Sequence, residues 1–102
     1  MELKAGSRWR SAVCDTEVVV VRAPSGASTL ECGGAEMVPH DAEKPSGAQL
    51  DPAHSDGTQM GKRFADPDSG IEVLATKGGA GSLSLDGKAL PLKDAKPLPS
   101  SD

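Results

Sequence analysis

The two cysteines of this sequence, Cys14 and Cys32, are the residues whose chemistry is easiest to interpret. Cys32 stands before a glycine pair in "LECGGAEMVP" (residues 30–39), which has the form of one knuckle of a metal site. Zinc accepts Cys, His and carboxylate ligands in tetrahedral sites, and the only histidines are His40 and His54. A Cys₂His₂ site would need the chain between the histidines to fold back, and the spacing C-x₁₇-C-x₇-H-x₁₃-H matches no zinc-finger pattern.

Three interpretations of the cysteines stay open. They are two small buried thiols left over from a lost site, a Cys14–Cys32 disulfide, or ligands of zinc or iron with His40 or Asp15 as a further ligand.

No Ser-His-Asp or Cys-His motif is visible, and "GGAGS" (residues 78–82) lacks the lysine of a phosphate loop and predicts a plain turn. We therefore predict no catalytic residues and no enzyme activity for the chain by itself.

Composition predicts a small folded domain with a thin core. The chain has 102 residues and a net charge of −4, and Leu, Ile, Val and Phe supply only 18 of its side chains. The acidic balance argues against nucleic acid as a partner, and no apolar run is long enough for a membrane span or a signal peptide. We therefore expect a cytoplasmic protein that gains stability from a second chain, a metal or a crosslink.

An internal repeat appears when the sequence is compared with itself at a spacing of 53 residues. Ten of the 34 positions from Trp9 to Ala42 are identical, where a composition this rich in Ala, Gly and Asp gives roughly three by chance. The identical pairs are Arg10 with Arg63, Ala12 with Ala65, Asp15 with Asp68, Val20 with Val73, Gly26 with Gly79, Ala27 with Ala80, Leu30 with Leu83, Gly34 with Gly87, Asp41 with Asp94 and Ala42 with Ala95. The spacing predicts two similar units related by a pseudo-twofold axis, with Leu30 and Leu83 at equivalent core positions.

Each repeat has the same order of apolar runs and glycine turns. "EVVVVRA" and "IEVLATK" predict first strands, "TLEC" and "SLSL" second strands, and "AEMVP" and "KALPL" third strands, the last at a sheet edge because of its proline. "GG" and "DG" predict tight hairpins between the second and third strands. We predict a loop-rich, all-β single domain (1–102) with repeat one at 7–42, a linker at 43–60, repeat two at 61–95 and an extended tail at 96–102.

Repeat one resembles the desulforedoxin family, the small rubredoxin-like modules that also form the N-terminal domain of desulfoferrodoxins. That family has a C-x-x-C knuckle, a valine-rich strand, a glycine turn and L-x-C-C-G-x-x-M, and the corresponding stretches here are "SAVCDTEVVVV", "PSGA" and "LECGGAEMV". Cys14 and Cys32 fall on the second and third ligand positions, whereas Ser11 and Gly33 replace the other two. In repeat two the four positions hold Phe64, Pro67, Leu85 and Asp86.

The resemblance covers roughly residues 9–39 and implies a site that has lost two of the four thiolates by which the family holds iron. The family holds iron with four thiolates on a small β-fold that pairs as a dimer, so this chain would be a covalent pseudo-dimer with one degraded site. Two thiolates do not hold both oxidation states of iron. If the knuckle is retained, the sulfurs of Cys14 and Cys32 should lie within roughly 6 Å of each other, with Ser11 nearby and with Leu85 and apolar neighbours filling the counterpart in repeat two.

The sequence favours a non-enzymatic accessory protein or small subunit with no cofactor. We expect it to dock to a larger partner, itself an enzyme, or to form a homo-oligomer. The alternative is a structural or redox module that binds zinc or iron through Cys14 and Cys32, with His40 as a possible additional ligand. A cofactor-free enzyme is the third hypothesis. The metal content of the purified protein distinguishes the second hypothesis from the first.

Overall fold

The computed structural model describes residues 3–44 and 47–93, and this part of the chain is built from short antiparallel strands and one turn of 3₁₀ helix at Pro52–His54. The strands are β1 (Arg8–Arg10), β2 (Glu17–Arg22), β3 (Leu30–Cys32), β4 (Ala35–Glu36), β5 (Val38–Pro39), β6 (Arg63–Ala65), β7 (Glu72–Lys77), β8 (Leu83–Leu85) and β9 (Lys88–Ala89). The predicted all-β class is confirmed. Within these two ranges, no helix is long and apolar enough to cross a membrane.

Five strands form the larger sheet, in the order β5-β1-β2-β7-β6. Its centre is the antiparallel pair of β2 and β7, in which Val20 lies opposite Val73. Val18 and Val20 are buried on one face of β2, whereas Val21 is 44% exposed, so the valine run follows the two-residue period of a half-buried strand. The two longest strands of the chain, one from each repeat, therefore join in the middle of this sheet.

The other four strands form a smaller sheet, in the order β4-β3-β8-β9. Here too the central pair takes one strand from each repeat, and Glu31 on β3 lies opposite Ser84 on β8. The Ser84 hydroxyl donates to Glu31 Oε1 over 3.0 Å. β9 is an edge strand, as the sequence predicts, although Pro91 lies just beyond its end.

A single hydrophobic core lies between the elements of both repeats. Its buried members are Leu3, Trp9, Val18, Val20, Leu30, Cys32, Met37, Ile71, Val73, Ala75, Leu83, Leu85 and Leu90. Leu30 and Leu83, which the repeat spacing makes equivalent, are 0% and 3% exposed. Because both repeats contribute to this core, the few large apolar residues of the chain are concentrated in one place.

The strands differ from the predicted three per repeat. Each repeat begins with an additional strand, β1 or β6, that the sequence analysis did not predict. The predicted third strand of repeat one is divided, because β4 pairs in the smaller sheet and β5 pairs with β1 in the larger one. In repeat two the corresponding second half is only a bridge between Phe64 and Leu92.

Several backbone contacts recur at the repeat spacing of 53 residues. The Gly33 amide donates to the Ser82 carbonyl over 3.0 Å, and the Asp86 amide donates to the Thr29 carbonyl over 2.9 Å. Gly33 and Asp86 are equivalent in the repeat, and both have positive φ, at 67° and 52°. Reciprocal contacts of this kind favour the pseudo-twofold arrangement, but the duplication itself stays a prediction.

The chain between the repeats, predicted as a linker or surface loop, packs against the rest of the domain in its described part. Thr58 is 6% exposed and forms a β-bridge with Gly79. The predicted tail at 96–102 lies outside the described residues.

Because the core is shared by both repeats, we expect its two equivalent leucines to contribute similarly to the free energy of unfolding. Leu30→Ala and Leu83→Ala should each lower the free energy of unfolding by about 2–5 kcal/mol, because each removes a fully buried side chain and leaves a cavity. Val21→Ala, on the exposed face of β2, should change it by less than about 0.5 kcal/mol. Urea unfolding followed by circular dichroism measures all three, and a small loss for either leucine would contradict a core shared by both repeats.

Candidate functional site

Cys14 and Cys32 lie side by side, although 18 residues separate them in the chain. Cys14 is in the turn between β1 and β2, and Cys32 is the last residue of β3. Their sulfur atoms are 3.8 Å apart and both thiols are free. Cys32 is completely buried, whereas Cys14 is partly exposed. The predicted separation of less than roughly 6 Å is confirmed.

Two buried hydroxyl groups lie beside the sulfurs. Ser11 Oγ accepts hydrogen bonds from the amides of Val13 and Cys14, each over 3.1 Å. These two bonds occupy the acceptor sites of the hydroxyl, so its one proton is left to donate to sulfur. Thr16 Oγ1 is 3.3 Å from the Cys14 sulfur, and both hydroxyl residues are 0% exposed. Ser11 therefore lies next to the cysteines as predicted, and Thr16 is an additional member of the site.

The turn at residues 78–82 of repeat two covers this site with its backbone. The Gly81 amide points to the Cys14 sulfur over 3.4 Å. A Cβ atom at Gly81 would lie 2.9 Å from Gly33 Cα and 3.1 Å from the Cys32 sulfur, and one at Gly79 would lie 2.5 Å from Thr16 Oγ1. Only glycine permits so close an approach at these two positions. The segment that the sequence predicts as a plain turn is therefore the lid of the cysteine site.

The chain between the repeats lies across the cysteine loops, and we call its described part, residues 43–44 and 47–60, the strap. Lys44 Nζ donates to the Cys14 carbonyl over 2.7 Å, and the Asp51 amide donates to the Gly33 carbonyl over 2.9 Å. A Cβ atom at Gly33 would lie 2.6 Å from Leu50 Cδ1, which shows how closely the strap approaches the glycine pair. The strap thus holds both cysteine loops at once.

The strap also holds the glycine lid. Thr58 and Gly79 exchange two backbone hydrogen bonds, of 2.9 and 3.1 Å, and Thr58 Oγ1 donates to the Gly81 carbonyl over 2.7 Å. The Ser82 amide donates to the His54 carbonyl over 2.8 Å. Since both edges of the lid are bonded, its position over the sulfurs is well defined.

The two thiols differ strongly in acidity. Burial raises the pKa of Cys14, but hydrogen bonds from the Ser11 and Thr16 hydroxyls and from the Thr16 and Gly81 amides outweigh burial and lower the pKa to about 7. Burial and the neighbouring Cys14 charge raise the pKa of Cys32 to about 12. At neutral pH the partly exposed Cys14 is therefore a nucleophilic thiolate for about half of the time, and the buried Cys32 stays protonated.

The other predicted ligands do not join the cysteines. His40 Nε2 lies 3.5 Å from Glu17 Oε1, with 48% of the histidine side chain exposed. Asp15 is exposed, and His54 reaches the lid through its carbonyl group. Over residues 3–44 and 47–93, no three His, Cys, Asp or Glu side chains form a group that could hold a metal ion. His40 is thus not placed as an additional ligand.

The counterpart of the site in repeat two is apolar and borders a surface cleft. Pro67 and Leu85 occupy the places of Cys14 and Cys32, and Leu85 is 5% exposed. Leu85 and Leu90 are both members of the hydrophobic core, as the expected filling by Leu85 and apolar neighbours requires. The cleft beside them has a volume of about 270 Å³ and is also lined by Asp66, Pro67, Asp68, Lys88, Ala89 and Pro91.

The sequence analysis missed Thr16, the glycine lid and the strap. Thr16 stands only two residues after Cys14, and that spacing is the one signal that would have marked it. The lid and the strap carry no local motif, because they reach the sulfurs from distant parts of the chain. Together these elements define a partly exposed dithiol pair within a hydrogen-bonded enclosure.

Comparison with protein-family models found no match. Comparisons with curated proteins and with solved structures likewise found no significant match.

The hydrogen bonds around Cys14 predict the pH dependence of its alkylation. The rate of reaction of Cys14 with iodoacetamide should rise with a midpoint near pH 7, because only the thiolate reacts. Ser11→Ala and Thr16→Val should raise this midpoint, and an increase of one unit from pH 7 lowers the thiolate fraction at pH 7 about fivefold. Ser69→Ala, at the counterpart of Thr16 in repeat two, should leave it unchanged. Mass spectrometry of the peptides identifies the modified cysteine, and a midpoint near the ordinary value of 9.0 would contradict the described hydrogen bonds.

Proposed function

We propose that this chain is a redox-responsive accessory protein in which Cys14 and Cys32 interconvert between a dithiol and an intramolecular disulfide. The observation that carries the proposal is the 3.8 Å separation of the two sulfurs. A disulfide bond is about 2.05 Å long, so the sulfurs need to approach by less than about 2 Å. The turn that carries Cys14 and the glycine pair after Cys32 are the loops that would make this adjustment.

The unequal environments of the two thiols support this function. A redox dithiol works best when one thiol is an accessible nucleophile and the other is held in reserve as the resolving group. Cys14 is partly exposed and its pKa is lowered to about 7, whereas Cys32 is buried and its pKa is raised. Oxidation would therefore begin at Cys14, and Cys32 would close the disulfide.

The accessory role is proposed from the small size of the core. Within the described residues, the edge strands β4, β5 and β9 are two residues long, which leaves little edge for strand addition, so a partner is expected to contact side chains instead. The thin core also favours association, since a partner adds buried apolar area. In this proposal the disulfide alters the cysteine loops and the strap, and the partner responds to that change.

The redox proposal predicts a reversible two-electron transition in the purified chain. Treatment with excess hydrogen peroxide, or equilibration in glutathione buffers until the composition no longer changes, should show by alkylation and mass spectrometry a monomeric species that has lost two hydrogen atoms and takes up no alkylating agent. Excess dithiothreitol should restore both thiols. The single variants Cys14→Ser and Cys32→Ser should show no such species. A wild-type chain that stays reduced, or that forms only disulfides between molecules, would refute the proposal.

A metal-binding module is the second candidate, because two thiolates on a tetrahedral zinc ion are also about 3.8 Å apart. The described residues supply only two thiols and the Ser11 and Thr16 hydroxyls, so a partner chain would have to complete the coordination. Stoichiometric zinc or iron in protein purified without added metal, lost in the Cys14→Ser, Cys32→Ser double variant, would favour this candidate. Metal-free protein whose double variant keeps its fold would favour the redox proposal.

We also propose that the domain is a duplicated, degenerate desulforedoxin-like module whose two repeats form a pseudo-dimer. The pairs Val20 with Val73 and Glu31 with Ser84 support this proposal, since each pair meets at the centre of a sheet and each is separated by the repeat spacing. The adjacent cysteine sulfurs are a second support. In this view the turn of each repeat covers the site of the other repeat.

A further inference from the structure

The space around the Cys14 sulfur restricts which oxidants can reach it. We propose that the oxidant that Cys14 accepts is a small hydroperoxide, such as hydrogen peroxide, rather than the disulfide bond of another molecule. This inference rests on the proposed redox function and identifies its substrate class. Its support is the geometry of the enclosure and the position of the hydroxyl groups.

The enclosure leaves little room for a bulky reactant. Thr16 Oγ1, the Gly81 amide and the Cys32 sulfur lie 3.3, 3.4 and 3.8 Å from the Cys14 sulfur. Exchange with a foreign disulfide would place three sulfurs in a line, with the Cys14 sulfur at one end and a carbon chain on each of the two foreign sulfurs. A hydroperoxide presents only two oxygen atoms at the reacting centre, so it needs a much smaller opening.

The lid does not readily move aside to make such an opening. Thr58 holds the lid through two backbone hydrogen bonds to Gly79 and through its hydroxyl bond to the Gly81 carbonyl. On the other edge, the Gly33 amide donates to the Ser82 carbonyl over 3.0 Å. An oxidant large enough to displace the lid would have to break several of these bonds, which favours a small reactant.

The hydroxyl groups are placed where a peroxide needs donors. Attack of sulfur on one peroxide oxygen puts negative charge on the other oxygen, and a fixed hydrogen-bond donor lowers the energy of that charge. Thr16 is fully buried with its hydroxyl beside the Cys14 sulfur, and Ser11 has its lone pairs bonded to the amides of Val13 and Cys14. Thr16 is thus inferred to be the catalytic donor to the leaving oxygen, and Ser11 is the second donor beside it.

The reaction balances in two steps. In the first step, Cys14 sulfur bonds to one oxygen of ROOH, the O–O bond breaks, and the leaving oxygen takes the thiol proton to give ROH and Cys14–SOH. In the second step, the Cys32 sulfur bonds to the Cys14 sulfur, the S–O bond breaks, and the hydroxyl leaves with the Cys32 proton as water. The peroxide is reduced and the two thiols are oxidised by two electrons.

The test compares reaction rates of the full chain with hydrogen peroxide, oxidised glutathione and iodoacetamide. The ratio of the peroxide rate to the iodoacetamide rate corrects for the amount of thiolate. For Cys14 this ratio should exceed that of free cysteine by at least about tenfold, because of the two reagents only the peroxide develops charge on a leaving oxygen that the hydroxyl donors can stabilise. The ratio of the oxidised-glutathione rate to the iodoacetamide rate should be lower for Cys14 than for free cysteine. In Cys32→Ser, peroxide should leave a sulfenic acid that dimedone traps at Cys14.

The variants separate a catalytic role of the Thr16 hydroxyl from a structural one. Thr16→Val should lower the ratio of the peroxide rate to the iodoacetamide rate most of the way to that of free cysteine. Thr16→Ser should keep the wild-type ratio, and Ser69→Ala in repeat two should leave it unchanged. The wild-type comparison with free cysteine stands even if Thr16→Val does not fold. A peroxide ratio equal to that of free cysteine, or an equal loss in Thr16→Val and Thr16→Ser, would overturn the inference. Should oxidised glutathione nevertheless form the Cys14–Cys32 disulfide rapidly, the redox function would stand and only the hydroperoxide would be excluded.

Discussion

The antiparallel pairing of β2 with β7 joins the two repeats in one sheet, and the positions of the remaining elements depend on this pairing. Val20 and Val73 meet at the centre of this pair, and their neighbours on the inner face continue into the core. Neither half has enough large apolar side chains to form a core by itself. Burying the two sets together removes more apolar area from water, and that gain is the main stabilisation available to so small a chain.

The cysteine site is a consequence of the second inter-repeat pairing. Because β3 and β8 run antiparallel with Cys32 opposite Leu83, the residues just before Leu83 pass the residues just after Cys32. The glycine lid is therefore brought over the sulfurs by the sheet itself, and the Gly33–Ser82 hydrogen bond fixes its edge. A site assembled in this way uses one repeat for the thiols and the other for the cover.

The surroundings of the two sulfurs decide their different chemistry. Both are cysteines in the same enclosure, only 3.8 Å apart, and yet the pKa of one is lowered and that of the other is raised. The hydrogen bonds concentrate on Cys14, which lies between the Ser11 and Thr16 hydroxyls and the Gly81 amide. Cys32 is the more deeply buried sulfur, and desolvation dominates there. In repeat two the same backbone carries Pro67 and Leu85, and the counterpart is an apolar site without thiols that borders a cleft.

The sequence by itself determined the all-β class and the apolar runs that became most of the strands, because these depend on local β propensity and glycine turns. The proximity of Cys14 and Cys32 was expected only from the resemblance to the desulforedoxin family. The common origin of the repeats and the resemblance to desulforedoxin remain predictions. Only the tertiary structure decided which thiol is the nucleophile, where His40 lies, and that the lid and strap enclose the site. Those features depend on contacts such as that between Gly81 and Cys14, which are 67 residues apart. No local pattern encodes such a contact, since its energy appears only when the two sheets have formed.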